Sequence, residues 1–150
     1  MPLIRGNQRG DNLKNTATKK SSVNAIPKPL KYNIEGFTVY AGKNNTQNDY
    51  VTHKLAKAND VWLHTRDIHS SHVVISNPEN KPIPDSVMQA AAEITAFYSE
   101  SRNSGKTPVD YTKKAFVKKP SKAALGFVNY TDYTTVIVYP NEHREFLEAK

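Results

Sequence analysis

The chain has 150 residues, a formal net charge of +7 and no cysteine, and 37% of its residues are hydrophobic. This length is most simply one domain. Zero cysteines exclude a disulfide framework and a thiolate metal site. There is no run of about 18 apolar residues, which excludes a membrane-spanning helix. The first ten residues, MPLIRGNQRG, lack the apolar core of a signal peptide, so we expect a cytoplasmic protein.

The basic residues are concentrated in two stretches of the chain. Residues 1–31 contain seven Lys or Arg and one acid, whereas residues 32–150 contain fourteen basic and thirteen acidic residues. Within the second part, residues 111–131 hold five lysines and no acid. Clustered positive charge of this kind favours a polyanionic partner. The pattern predicts a basic flexible linker or tail over 1–31 and a folded domain over 32–150.

The first predicted ordered unit is a strand, a polar turn and a helix. Residues 37–40 alternate as a strand, and residues 46–58 have helical spacing after the turn Gly42-Lys-Asn-Asn45. Asn45 or Thr46 is the expected cap. Free N–H groups and the positive end of the helix dipole would meet Lys43 there, which predicts an anion site. An ordinary capped helix start is the alternative, and the spacing is not that of a Walker A loop.

The stretch from Asp60 to Ile75 holds the only tryptophan and three of the five histidines. Its two ends have strand character, and a polar turn over residues 65–71 separates them. Alternation places Trp62, His64 and Arg66 on one face of the first strand. We therefore expect a hairpin that gathers six polar side chains, namely His64, Arg66, Asp67, Ser70, Ser71 and His72. A buried tryptophan with a solvated hairpin is the alternative.

The rest of the chain predicts one long helix and several strands. The helix should run from Asp85 or Ser86 to about Asn103, with Gly105 as its C-terminal cap. Residues 109–117 look extended, residues 127–130 and 134–139 should form a hairpin, and residues 141–150 form a short helix. About six strands and two main helices predict an α+β fold with a largely antiparallel or mixed sheet.

Three kinds of chemistry compete for these residues. In RNA binding without catalysis, Lys and Arg side chains contact phosphates, and Asn, Gln, Ser and His side chains contact 2′-hydroxyls and base edges. In a metal-independent ribonuclease, His64 and His72 act as base and acid. In a metal hydrolase, His64, His69, His72 and Asp67 are ligands, but no HxH or HExxH spacing is present. We therefore expect an RNA-binding module that is no enzyme and holds no metal or cofactor.

Several segments resemble the NFACT RNA-binding (NFACT-R) domain of RqcH-type ribosome quality control proteins, formerly called fibronectin-binding proteins. These segments are Gly42-Lys-Asn-Asn-Thr-Gln-Asn-Asp-Tyr50, Asp60-Val-Trp-Leu-His-Thr-Arg-Asp67, Ser71-His-Val-Val-Ile75, Pro108-Val-Asp-Tyr-Thr112, Val117-Lys-Lys-Pro120 and Gly126. The family usually has Pro-Gly in the turn where this chain has His69-Ser70. Loss of that glycine narrows the allowed backbone angles.

The resemblance implies a piece of a longer protein that helps to hold tRNA, chiefly alanine tRNA, on a stalled large ribosomal subunit during mRNA-independent alanine tailing. The expected partners are tRNA, the large ribosomal subunit and the remaining domains of the parent protein, without a membrane. The matched positions, together with two lysines of the basic stretch, give the expected RNA-binding set. That set is Lys43, Asn44, Asn45, Gln47, Asn48, His64, Arg66, Asp67, Ser71, His72, Lys113, Lys114, Lys118 and Lys119.

Overall fold

The structure is a computed structural model, and it describes residues 27–148. Most of the predicted linker, residues 1–26, lies outside this part of the chain. The first strand, β1 (Leu30–Ile34), begins two residues before the predicted start of the domain.

A six-stranded antiparallel sheet forms the centre of the fold. In chain order its strands are β1, β2 (Phe37–Ala41), β3 (Val61–Thr65), β4 (Val73–Ile75), β5 (Thr107–Lys113) and β8 (Thr134–Val138). In space the order is β1-β2-β4-β3-β5-β8. The predicted hairpin is present, since β3 pairs with β4 and Trp62 lies opposite Val74. The α+β prediction is confirmed.

One face of the sheet packs against the long helix α2 (Asp85–Phe97). The helix buries Val87, Ala91 and Ile94, as the spacing predicts. It ends at Phe97, however, and not near Asn103, so the predicted cap at Gly105 is wrong. The physical reason is that the next backbone groups pair with the β3–β4 turn. The carbonyl of Tyr98 accepts from the N–H of Ser71 at 2.9 Å, and residues 70 and 99 form a β-bridge.

The opposite face is covered by shorter elements. The helix α1 (Asn45–Tyr50) continues into a π-helical turn (Val51–Leu55), so the helical segment ends before the predicted Ala58. A two-stranded sheet of β6 (Val117–Lys118) and β7 (Asn129–Tyr130) lies beside it. Together these elements bury Trp62, Val74 and Val117. The rings of His64 and His72 contact Trp62 on this face.

The predicted hairpin between residues 127–130 and 134–139 is wrong, because its two strands belong to different sheets. β7 pairs with β6, whereas β8 pairs with β5. The hydroxyl of Thr112 donates to the carbonyls of Thr131 and Asp132, at 2.9 and 3.2 Å, and holds the connection against β5.

The remaining differences from the predicted elements are local. A 3₁₀ turn (Lys114–Phe116) interrupts the predicted extended stretch 109–117. Only Arg144–Phe146 of the predicted C-terminal helix is helical, again as a 3₁₀ turn. Among residues 27–148, no helix is long and apolar enough to cross a membrane.

Candidate nucleic-acid interface

The Gly42–Asn45 loop satisfies much of its own hydrogen-bonding potential. The cap is Asn44 and not Asn45 or Thr46, and its Oδ1 accepts from the N–H of Gln47 at 2.9 Å. In return, Gln47 Oε1 accepts from the N–H of Lys43 at 2.9 Å. This reciprocal pair occupies N–H groups that a bound anion would need. The side chains of Lys43, Asn44 and Asn45 are exposed, so they are the accessible part of the loop.

A cluster of short contacts fixes this loop to the β3–β4 hairpin. The N–H of Gly42 donates to the carbonyl of His72 at 3.1 Å, and the N–H of His72 donates to Asn48 Oδ1 at 3.0 Å. The Ser71 hydroxyl donates to the carbonyl of Gly42. Asn48, Ser71 and His72 are buried. In this conformation these three members of the predicted set hold the loop in place and face little solvent.

The two histidines of the hairpin do face one another, with ring centroids 5.2 Å apart. Thr52 joins His72 to the tryptophan, since its Oγ1 accepts from Trp62 Nε1 at 3.0 Å and lies 2.7 Å from His72 Nδ1. Burial lowers the pKa of His72 well below its usual value, and the neighbouring His64 and His53 lower it further. A hydrogen bond to the backbone of Gly126 opposes this shift. The buried ring is therefore neutral near pH 7.

His64 has a defined tautomer. Its Nδ1 lies 2.7 Å from the carbonyl of Thr65, and because a carbonyl only accepts, Nδ1 carries the proton. Burial lowers the pKa of His64, so the ring is neutral and Nε2 is an acceptor. The ring also stacks on Trp62, with centroids 5.6 Å apart and an interplanar angle of 3°.

The environment of His72 does not suit the acid–base pair of the ribonuclease hypothesis. A ribonuclease of this kind needs one protonated imidazole that reaches the phosphate. His72 is only 2% exposed, and its Nδ1 is engaged by Thr52. Over residues 27–148, no three His, Cys, Asp or Glu side chains are grouped so that they could hold a metal ion.

Arg66 is exposed in part but is tied to the sheet. Its guanidinium donates to Thr135 Oγ1 at 2.9 Å and lies 3.8 Å from the buried carboxylate of Asp110. Asp110 also accepts from the hydroxyl of Tyr130 at 2.6 Å. The guanidinium carbon lies 5.4 Å from the ring centre of Tyr133. The sequence did not predict the contacts of Asp110, Tyr130 and Tyr133, because they join the end of β3 to β5, β7 and the segment before β8, which are distant along the chain.

The departure at His69-Ser70 is accommodated within the turn. The residue with left-handed backbone is Asp67, with φ of 64°, and an aspartate tolerates this conformation. The Ser70 hydroxyl bonds to the backbone of its own hairpin. Its Oγ accepts from the N–H of Thr65 at 3.2 Å and donates to the carbonyl of Ser71 at 2.9 Å.

The four predicted lysines of the basic stretch differ in their surroundings. Lys119 Nζ forms an ion pair with Asp49 at 3.0 Å. Burial lowers the pKa of His53, Asp49 opposes this shift, and the nearby Lys114 and Lys119 add to it. Lys113 Nζ donates to Asn80 Oδ1 at 3.2 Å, and Lys118 is exposed. The ion pair with Asp49 removes part of the positive charge that the sequence suggested.

Two adjoining clefts are lined by half of the predicted RNA-binding residues. The loop cleft, of about 270 Å³, is lined by Lys43, Asn44, Asn45, Asn48 and Ser71. A second cleft, of about 340 Å³, is lined by His64 and Asp67 and by residues 126–128 and Tyr130. His69 and Glu100 border both clefts. Gly126 also lies next to the loop, because a Cβ built on it would be 3.1 Å from Asn45 Oδ1.

The fold is an α+β domain in which one face of an antiparallel sheet carries a polar, partly basic surface of loops and a short helix. The family model described as the NFACT protein RNA binding domain matches residues 30–130. The chain belongs to this family, which confirms the resemblance read from the sequence.

The related proteins are much longer than this chain. The Rqc2 homolog RqcH of Bacillus subtilis is 48% identical over 106 residues, which cover 71% of this chain and 18% of that protein. The Rqc2 homolog RqcH of Streptococcus suis is 37% identical over 127 residues, which cover 83% of this chain and 23% of that protein. The chain thus spans about a fifth of these relatives.

A solved structure has the same fold. It is the C-terminal part of the fibronectin/fibrinogen-binding protein from Streptococcus suis, with a TM-score of 0.77 and 34% sequence identity. The match covers 83% of this chain and 52% of that one.

Proposed function

We propose that this chain is the tRNA-holding module of an RqcH-type ribosome quality control factor. In this role it binds tRNA, with alanine tRNA as the first candidate, on the large ribosomal subunit during mRNA-independent alanine tailing. It acts without catalysis, in the cytoplasm, together with the remaining domains of its parent protein. Membership of an RNA-binding family and relatives named Rqc2 homolog RqcH support this proposal.

The observation that carries the proposal is the convergence of three separate motifs around α1. The helix contacts the hairpin through Asn48 and His72, and the loop before it does so through Gly42. Gly126 lies beside Asn45. Lys119 reaches Asp49 in the same helix. A surface assembled from distant segments, with exposed lysines and amides at its edges, suits a folded RNA that presents phosphates and loop bases together.

Exposure divides the predicted RNA-binding set into two groups. We assign direct RNA contact to the exposed side chains and a supporting role to the buried or half-buried ones. The exposed group is Lys43, Asn44, Asn45, Arg66, Asp67, Lys113, Lys118 and Lys119. The supporting group is Gln47, Asn48, His64, Ser71, His72 and Lys114.

The test is an NMR titration of the isotope-labelled 150-residue chain with alanine tRNA at low and then moderate salt. We expect chemical shift changes at residues 43–48, 66–72 and 113–119. Changes confined to residues 1–26 would mean that the folded surface does not bind tRNA, and the proposal would then fail. Labelled tRNA incubated with the protein, with and without EDTA, should stay intact on a gel, whereas specific cleavage would favour the ribonuclease.

A further inference from the structure

The second cleft, which we call the aromatic cleft, differs in chemistry from the lysine-bearing surface around it. It lies between the β3–β4 turn and the segment that leads into β7. Its walls include His64, Asp67, Glu100, Phe127, Val128 and Tyr130, and neither Lys nor Arg is among its lining residues. Two carboxylates without a cation oppose a phosphate by charge repulsion. The cleft therefore suits an uncharged part of an RNA.

The cleft has a free aromatic surface. Phe127 is 58% exposed, although a phenylalanine normally buries most of its side chain. Tyr130 forms the inner wall and is itself fixed by its hydrogen bond to Asp110 and by its contact with Trp62, whose ring centre is 4.8 Å away. An exposed aromatic side chain at the mouth and a hydrogen-bonded one behind it form a stacking site for a flat ring.

The polar groups of the cleft are mainly hydrogen-bond acceptors. His64 donates its only proton to the carbonyl of Thr65, which leaves Nε2 as an acceptor. The side chains of Asp67 and Glu100 are exposed, and ionised carboxylates only accept. The hydroxyl of Thr65 is already used, because it donates to the carbonyl of Ile68 at 2.9 Å. Among the side chains that line the cleft, only His69, at the rim, has a donor that is not already used, because the hydroxyl of Tyr130 donates to Asp110. The free side-chain groups of the cleft therefore suit a bound group that supplies N–H donors.

We propose that the aromatic cleft binds one unpaired nucleobase that carries an amino group where uracil and guanine carry a carbonyl oxygen, namely adenine (C6) or cytosine (C4), and discriminates against uracil. The base stacks on Phe127, and its amino group donates to Asp67 or to His64 Nε2. Uracil presents a carbonyl oxygen at this position, so the acceptor that faces it is left without a partner. This proposal rests on the RNA-binding function above and adds base selectivity to it.

The test uses the free nucleosides adenosine, cytidine and uridine, which lack the phosphate that the cleft disfavours. They are titrated into the labelled 150-residue chain, and the NMR signals of His64, Phe127, Val128 and Tyr130 are followed. We expect saturable shifts with adenosine and cytidine, and binding of uridine at least about fivefold weaker, the effect of one lost hydrogen bond. Equal binding of uridine would overturn the proposal.

Two substitutions separate stacking from amino-group recognition. Phe127→Ala should weaken adenosine binding roughly fivefold or more, since stacking on one aromatic ring contributes that much. The matched control is Phe116→Ala, which removes another exposed phenylalanine outside the cleft. Asp67→Asn keeps a residue that tolerates positive φ but adds an amide donor, so it should reduce the preference for adenosine over uridine. An unchanged preference for adenosine over uridine would mean that Asp67 does not contact the amino group of the base.

A parallel titration with alanine tRNA distinguishes the failure of this inference from the failure of the proposed function. If tRNA shifts the lysine signals but no nucleoside shifts the cleft, the base site is overturned and the tRNA function stands. If adenosine binds selectively but tRNA does not bind, the function is overturned and the cleft is a nucleoside site. Failure of both titrations overturns both.

Discussion

A single hydroxyl, that of Thr52, satisfies two buried polar rings in this protein, the indole of Trp62 and the imidazole of His72. Thr52→Val keeps the side-chain shape but removes the oxygen that both rings contact. A buried donor or acceptor without a partner costs about 1–3 kcal/mol, so the substitution should lower the free energy of unfolding by at least about 1 kcal/mol. Denaturant unfolding followed by Trp62 fluorescence measures this change. Thr38→Val, on the partly exposed strand β2, should change it by less than about 0.5 kcal/mol.

The buried His72 also makes stability depend on pH. Burial lowers its pKa in the folded state, whereas the unfolded chain binds that proton with an ordinary pKa of about 6.5. Below that pH the unfolded state holds more protons, so the free energy of unfolding should fall as the pH drops from 7.5 to 5. The fall is at most about 1.4 kcal/mol per pH unit for one histidine. His72→Asn should flatten the slope, while a substitution of the exposed His69 to Asn should preserve it; equal slopes in all three proteins would contradict this assignment.

At the scale of elements, the junction between β2 and α1 has no room for a side chain at Gly42. A Cβ on Gly42 would lie 2.2 Å from Asn48 Oδ1 and 2.7 Å from the backbone nitrogen of Asn48. The second atom belongs to the backbone and cannot rotate away. Gly42→Ala should therefore lower the free energy of unfolding by about 1–3 kcal/mol and weaken tRNA binding, because it displaces the loop that carries Lys43.

The control for this substitution is Gly36→Ala in the β1–β2 turn, where φ is 87° and a Cβ meets nothing within 4 Å. It carries backbone strain of about 1–2 kcal/mol without a steric clash. Binding of tRNA should be unchanged in this variant. If both alanine variants bind tRNA as tightly as the parent, the loop has no role in the interface.

The elements differ in how far the sequence could predict them. The β3–β4 hairpin and the buried stripe of α2 follow from local periodicity, and both were predicted. The end of α2 and the pairing of β7 and β8 do not follow from local periodicity, because each depends on a partner far along the chain. The helix ends where its next residues pair with the β3–β4 turn. β7 pairs with β6, and β8 pairs with β5. For the same reason the aromatic cleft was missed, since Phe127 read locally as part of a strand.

At the scale of the whole molecule, the basic composition predicts a negatively charged partner. The fold then determines which lysine and arginine side chains that partner can reach. If about five lysines each neutralise one phosphate, the slope of log affinity against log salt should be roughly −3.5 to −4.5. Lys118→Gln removes an exposed charge in β6 and should reduce the size of this slope by about 0.7–0.9.

Two other positions calibrate the salt measurement. Arg144→Gln removes one charge near α2, where Arg144 Nη1 lies 3.3 Å from Glu142, and it should leave the slope unchanged. Lys119→Gln should change the slope less than Lys118→Gln, because Lys119 already pairs with Asp49 and must give up that contact to reach a phosphate. Equal changes of the slope in all three variants would mean that tRNA affinity depends only on the net charge of the protein. The surface around α1 would then not be the tRNA-binding site.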